Sequence, residues 1–399
     1  MAVLILGTLD TKGTEVAFVR DRLFAAGVSV VVADAGVLGT PTIPADISRE
    51  EFFRTVQVRM QDLHDRGNAV SVAANAAAKL AKRLHGEGQL DGILALGGSA
   101  GTTIGTAAMR AMPVGVPKVM VSTLASGQVR PYVGTRDVMM LYSVVDIAGL
   151  NRVSRLVLSN AADAMIGMVQ GKSKPVSSES DKPIITATMF GVTTPCVEAA
   201  RSLIEAKGYE VLTFHATGSG GETMEGLILD GLVAGVLDMT TTELADELVG
   251  GVLSAGPDRL TAASLKGVPQ VISVGALDMV NFGPPETVPE RFRDRRFYHH
   301  NPTVTLMRTT PEENDQLGKE IAQKASASKG PTAVLLPLKG VSAIDAEGKP
   351  FWRPEADEAL FQSLRNWAYG FELIELDLHI NDPKFAAVAV AKLEELLGR

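Results

Sequence analysis

Two loops of this chain carry the residue types that hold a phosphate. In each, an apolar run ends in glycines and hydroxyl side chains, and a helical pattern follows. The first has Gly97, Gly98, Ser99, Gly101 and Thr102 after residues 93–96, and the second has Thr217, Gly218, Gly220 and Gly221 after residues 210–215. Small residues let backbone N–H groups approach an anion, and the helix behind aims the positive end of its dipole at the same point. A third loop, Gly7-Thr-Leu-Asp-Thr-Lys-Gly13, offers Asp10, the Thr11 hydroxyl and the Lys12 ammonium. Its glycine spacing is not that of a P-loop. A fourth, with Ser122, Thr123, Ser126 and Gly127, also ends an apolar run. If the three runs of the first half are neighbouring parallel strands, their loops open on one crevice in which a single ligand touches all three.

The second half has more reactive side chains. His215, Asp238, Glu243, Asp278 and His379 each lie at or just beyond the end of an apolar run. Two imidazoles and three carboxylates at neighbouring strand ends would suit acid/base work or a divalent cation. The same residues would equally serve as helix caps and satisfied buried polar groups, and no defined metal-ligand set is assigned. Cys196 is the single cysteine, so an internal disulfide and a zinc site built on several thiolates are both excluded. Its place near a helix start would activate a thiol, but with no histidine beside it in sequence it reads as a small buried residue.

Alternating strands and helices position these loops. In the first half, strands are expected over residues 2–6, 29–33, 92–96 and 118–122, with helices over 13–26, 48–65, 68–84, 102–112 and 143–169. Residues 170–183 are polar and rich in Ser, Lys and Pro, which reads as a linker. Beyond it the strands are expected over 184–190, 210–215, 234–238, 270–274, 332–337 and 372–378, with helices over 194–207, 221–229, 242–249 and 383–397. The segment 282–304, with three prolines and the pair His299–His300, is too long and irregular for a routine connection.

The fold class is therefore α/β: two open, mostly parallel sheets with helices on both faces, one over residues 1–175 and one over 182–399. Composition agrees, because the 399 residues are 46% hydrophobic but only 5% aromatic, the usage of helix-covered parallel strands. The net charge of -8 leaves no basic block to neutralise a run of phosphates, so general nucleic-acid binding is disfavoured. A small anion held by backbone amides remains compatible. The N-terminal apolar stretch of about five residues is far short of the roughly 20 that span a bilayer. A cytoplasmic protein off the membrane is expected, and homodimers being the commonest assembly, a homodimer.

Eleven stretches taken together, GTLDTK, LGGSAGT, STLASGQ, YVGTRD, SVVDIAGLN, MFGVTTPCV, FHATGSGGETME, LDMTTTELAD, SVGALDMVNFG, LPLKGVSAID and HINDPKFA, resemble the ATP-binding family of the tomato mosaic virus resistance protein. Bacterial members of that family are filed as an uncharacterised protein family. The resemblance runs from residue 7 to about residue 386 and implies two Rossmann-like subdomains. It implies ATP as ligand, with Mg2+ as a candidate companion, carried onto Asp10, Thr11, Lys12 and the loops 97–102 and 122–128. It does not carry over the plant member's antiviral action. Two functions follow as expectations: a nucleotide or phosphometabolite binder with a second site on the C-terminal strand ends, or a hydrolase or transferase of a small phosphorylated or carboxylated metabolite using His215 and its neighbouring carboxylates.

Overall fold

A computed structural model describes residues 2–59, 66–171 and 182–398. The first half runs β1 (Ala2–Gly7), α1 (Leu9–Ala25), β2 (Val30–Asp34), α2 (Arg49–Arg54), α3 (Arg66–Gly86), β3 (Leu90–Gly97), α4 (Ser99–Arg110), β4 (Lys118–Ser122), α5 (Arg130–Val133), β5 (Met139–Tyr142) and α6 (Arg152–Gly171). Its five strands are all parallel, in the order β2-β1-β3-β4-β5. The inner strands β1, β3 and β4 are apolar runs because both sheet faces are covered there. Successive side chains point to opposite faces. Val3 and Ile5 pack with Val16, Val19 and Leu23 of α1 and Leu158 and Met165 of α6. Leu4 and Leu6 pack on the other side with Ala73, Ala77 and Leu80 of α3 and Ala108 of α4.

The winding direction reverses between β1 and β3. In a doubly wound sheet the carboxyl ends of those two strands splay apart and leave a crevice. Both ends are glycines, Gly7 and Gly97.

Several boundaries differ from the sequence reading. Helix α1 starts at Leu9, so Asp10, Thr11 and Lys12 lie in its first turn rather than in a loop. The helix expected over 143–169 begins only at Arg152, because the Asn151 side chain accepts from the amides of Val153 and Ser154, each at 2.9 Å, and so starts the helix there. Residues 143–151 are therefore a loop. Of the helix expected over 48–65, α2 takes six residues, and 60–65 lie outside the described residues, as do 172–181 of the expected linker.

The second half runs β6 (Ile184–Met189), α7 (Thr194–Ala206), β7 (Glu210–His215), α8 (Ser219–Leu229), β8 (Gly235–Thr240), α9 (Thr242–Val249), α10 (Ala262–Lys266), β9 (Gln270–Gly275), β10 (Met279–Phe282), β11 (Phe297–Asn301), β12 (Val304–Arg308), α11 (Pro311–Ser326), β13 (Thr332–Pro337), α12 (Pro354–Trp367), β14 (Glu372–Leu376) and α13 (Pro383–Leu396). Six parallel strands lie in the order β14-β13-β9-β8-β6-β7, which is again a doubly wound sheet with its reversal between β6 and β8. The 282–304 segment, read as irregular, contributes β11 to a three-stranded antiparallel sheet ordered β10-β12-β11. Contacts divide the chain into two compact units, Met1–Ser177 and Ser178–Arg399. No helix among the described residues is long and apolar enough to cross a membrane.

Candidate functional site

At the β1/β3 reversal the first unit has a cavity of about 460 Å3. Its polar wall comes from the starts of α1 and α4: Thr8, Asp10, Thr11, Lys12, Gly97, Gly98, Ser99, Ala100 and Gly101 line it, with Asp146 of the 143–151 loop. Its other wall is aliphatic. The structure thus brings seven of the expected binding residues, Asp10, Thr11, Lys12, Gly97, Gly98, Ser99 and Gly101, to one place.

The remaining five lie elsewhere. Thr102 and Ser122 are fully buried and share a 2.7 Å hydrogen bond, with Ser122 Oγ also accepting from the Leu124 amide. They tie the β4 loop to α4 from behind, and neither they nor Thr123, Ser126 and Gly127 line the cavity. Two of the three first-half loops therefore meet at the crevice. Sequence reasoning missed Asp146, because its loop had been assigned to a helix.

Within the cavity the charges are already partly engaged. Asp10 Oδ2 accepts from the Leu38 and Gly39 amides at 3.0 Å each, and Arg49 stands 3.9 Å away. The Lys12 ammonium donates to the Ile147 carbonyl. Asp34 Oδ1 accepts from Leu9 at the first amide of α1, at 3.0 Å. Helix α4 differs: its N-cap is Gly98, which has no side chain, and no side-chain acceptor among the described residues reaches the amides of Ser99, Ala100 or Gly101. Uncapped first-turn amides donate to an external anion in place of a cap.

The glycines of that loop have separate reasons. A Cβ on Gly97 would lie 2.8 Å from Gly101 Cα, and one on Gly101 would lie 3.0 Å from the Leu96 carbonyl, so both are needed for α4 to lie close to β3. A Cβ on Gly98 would meet nothing nearer than the Thr123 hydroxyl at 3.8 Å. Packing leaves Gly98 free. A larger hollow of about 590 Å3 lies along residues 39–50, but the helix start in its described lining, α2, is capped by Ser48, and Asp34, one of its two carboxylates with Glu50, is bound to Arg49.

The second glycine loop is closed from inside. Glu243 Oε1 accepts from the amides of Gly218 and Gly221 at 2.8 and 3.0 Å, so the N-terminus of α8 already holds an anion, one supplied by the chain. The other oxygen of Glu243 accepts from Arg259 Nε at 2.7 Å. Arg259, fully buried, also binds Asp238 through Nη2 at 2.7 Å and Glu225 at 3.3 Å. Asp238 takes a further hydrogen bond from Thr188 at 2.7 Å. Burial lifts the Glu225 carboxyl above its ordinary value, and Asp238 nearby adds to the rise. Arg259, which sequence reasoning missed, is the centre that gathers these groups.

A second buried arginine, Arg308, sits among Asp357 at 2.6 Å, Asp345 at 3.5 Å and Asp278. Asp278 Oδ2 accepts from Ser342 at 2.8 Å, while Oδ1 meets no donor among the described residues. Burial first, then Asp345, pushes the Asp278 carboxyl well above the usual carboxylate range. His379 Nδ1 accepts from the Asn381 amide at 3.1 Å, which leaves the proton on Nε2 to donate to the Ser342 carbonyl at 2.9 Å. His215 is exposed, its ring edge-on to Phe190 at 5.6 Å.

His215 ends β7 at one edge of the six-stranded sheet, whereas His379 lies beyond β14 in a segment that turns back over the strand ends, where Asn381 donates to the Val192 carbonyl at 2.9 Å. Of the five acid/base candidates, Asp238 and Glu243 share Arg259, Asp278 and His379 both bond to Ser342, and His215 stands exposed beside Phe190. Burial pushes the Cys196 thiol up to about 12, so it stays protonated at neutral pH. Among the described residues no group of three or more His, Cys, Asp or Glu side chains could hold a metal ion.

Two family domains cover almost all of the sequence. The N-terminal domain of the Uncharacterised protein family (UPF0261) matches residues 1–174, and its C-terminal domain matches 182–397. The chain belongs to the UPF0261 family. A UPF0261 protein of Clostridium tetani is 53% identical over 402 residues, covering 100% of this chain and 99% of the relative. One from Rhizobium meliloti is 47% identical, covering 99% and 98%. The ToMV resistance protein Tm-1(GCR237) of Solanum lycopersicum is 41% identical over 99% of this chain, which spans 55% of that relative.

Proposed function

We propose that this protein binds a nucleotide, with ATP the first candidate, in the cavity at the β1/β3 reversal of its N-terminal unit. One observation carries the reading: two glycine and hydroxyl loops line a single cavity, and the helix start on its wall, α4, lacks an internal acceptor. The comparable start of α8 is filled by Glu243. The phosphates would lie against the Ser99–Gly101 amides, with Ser99, Thr11 and Lys12 as side-chain donors. Asp146, a second carboxylate of the cavity beside Asp10, would share a Mg2+ ion with phosphate oxygens.

Binding is favoured over catalysis, because Asp238, Glu243 and Asp278 are buried and bonded within the protein. The virus resistance named for the tomato relative is a property of that longer protein and is no part of the proposal.

Calorimetry with ATP and ADP, with and without Mg2+, tests the reading. Saturable heat is expected, and Lys12→Ala and Gly98→Val should each weaken binding by about tenfold or more, the equivalent of one charge-assisted contact. If neither substitution changes the affinity, or no heat is seen, the site is misassigned.

A further inference from the structure

Resting on that nucleotide reading, we infer that the base is recognised by apolar area alone, against Leu38 and the Ala69–Ala73 face of α3, so that the site accepts adenine and guanine nucleotides alike. The cavity is chemically divided. Its donors and charges, Thr8, Asp10, Thr11, Lys12, Ser99 and Asp146, sit at the helix starts and the 143–151 loop. Among the described residues, the lining beyond the Gly97–Gly101 loop is aliphatic: Ala35, Val37, Leu38, Ala69, Val70, Ala73 and Ile104. Not one of these offers a side-chain donor or acceptor to a base edge. A pocket that makes no hydrogen bond to a polar substituent discriminates weakly against its exchange, whereas one built to bond it rejects the wrong partner strongly.

Leu38 is the decisive residue. It is 82% exposed, yet its backbone is fixed. Asp10 accepts from the Leu38 and Gly39 amides at 3.0 Å, Asp34 Oδ1 accepts from Gly36 at 2.9 Å, and Arg49 donates to the Gly39 carbonyl at 2.6 Å. The Ala35 amide donates to the Gly7 carbonyl at 2.9 Å. A Cβ on Gly36 would lie 2.8 Å from Asp10 Oδ1, so the loop is drawn tightly onto that carboxylate. Five hydrogen bonds thus hold a large aliphatic side chain in water at the mouth of a cavity. An apolar surface held rigidly open beside a phosphate-type wall suits the face of a flat ring. Asp10 is accordingly a positioning residue for Leu38.

The test is competition binding on the full chain with ATP and GTP, each with Mg2+, in wild type and in Leu38→Ser and Leu38→Met. The expected result is that wild-type affinities for ATP and GTP agree within tenfold. Leu38→Ser should weaken both by a similar factor of about tenfold, and Leu38→Met should retain both. The melting temperature of Leu38→Ser should match wild type, since the side chain is exposed. A preference of more than tenfold for one base overturns the inference and leaves the nucleotide reading standing, as does unchanged affinity in Leu38→Ser. Failure of both nucleotides to bind wild type overturns the nucleotide reading itself, and this inference with it.

Discussion

Asp246 in α9 is buried and accepts from the Asn281 amide at 3.0 Å, the Leu253 amide at 3.3 Å and Asn281 Nδ2 at 2.6 Å. Those donors favour the anion, but loss of water outweighs them and pushes its carboxyl up to about 7. Asp357, beside Arg308, is likewise pushed up to about 7 by burial. In the unfolded chain both release their protons near the ordinary 3.8. Between roughly pH 4 and 7 the folded state therefore holds protons the unfolded state has lost, and stability from these groups falls as pH rises through 7. Denaturant midpoints measured from pH 5 to 8 should decline, and Asp246→Asn should flatten that decline while Lys12→Ala leaves it unchanged. A midpoint that rises over the same range would show that other groups govern it.

At the scale of elements, the β3–α4 connection separates packing from binding. Alanine at Gly97 or Gly101 must push α4 away from β3, a misfit that costs about 1–3 kcal/mol. Alanine at Gly98 meets no close atom and should leave the melting temperature unaltered. Thermal denaturation of the three variants checks this. Most strands of the two parallel sheets were readable as apolar runs, and those at Lys118–Ser122, Glu210–His215 and Thr332–Pro337 have the expected limits, whereas the short strands β5, β10 and β12 were missed. Helices α11 and α12 were missed, although Thr310 and Glu313 form a reciprocal cap that marks the start of α11. Strand β11 was hidden because its pairing with β12 is tertiary and its own residues, Phe-Tyr-His-His-Asn, lack an apolar run. For the site, the glycine loops could be read but their occupancy could not. Glu243 reaches Gly218 from 25 residues away, and no local pattern announces that.

At the scale of the molecule, the hydrophobic clusters of the described residues each draw on one unit. Separate cores allow separate transitions. Calorimetric scans should resolve two, of which ATP at a hundredfold excess over its Kd raises one by the equivalent of about 2.7 kcal/mol. Raising the pH from 5 to 8 should lower the other, which contains Asp246 and Asp357. A single transition moved by both treatments would show that the units melt together. The closure of the α8 loop by Glu243 has a consequence for handling. That half carries its counter-ion covalently, so its robustness is written into the polypeptide. The half with the open α4 start has no such built-in anion among the described residues, so on the nucleotide proposal a preparation in phosphate buffer should melt higher than one in chloride.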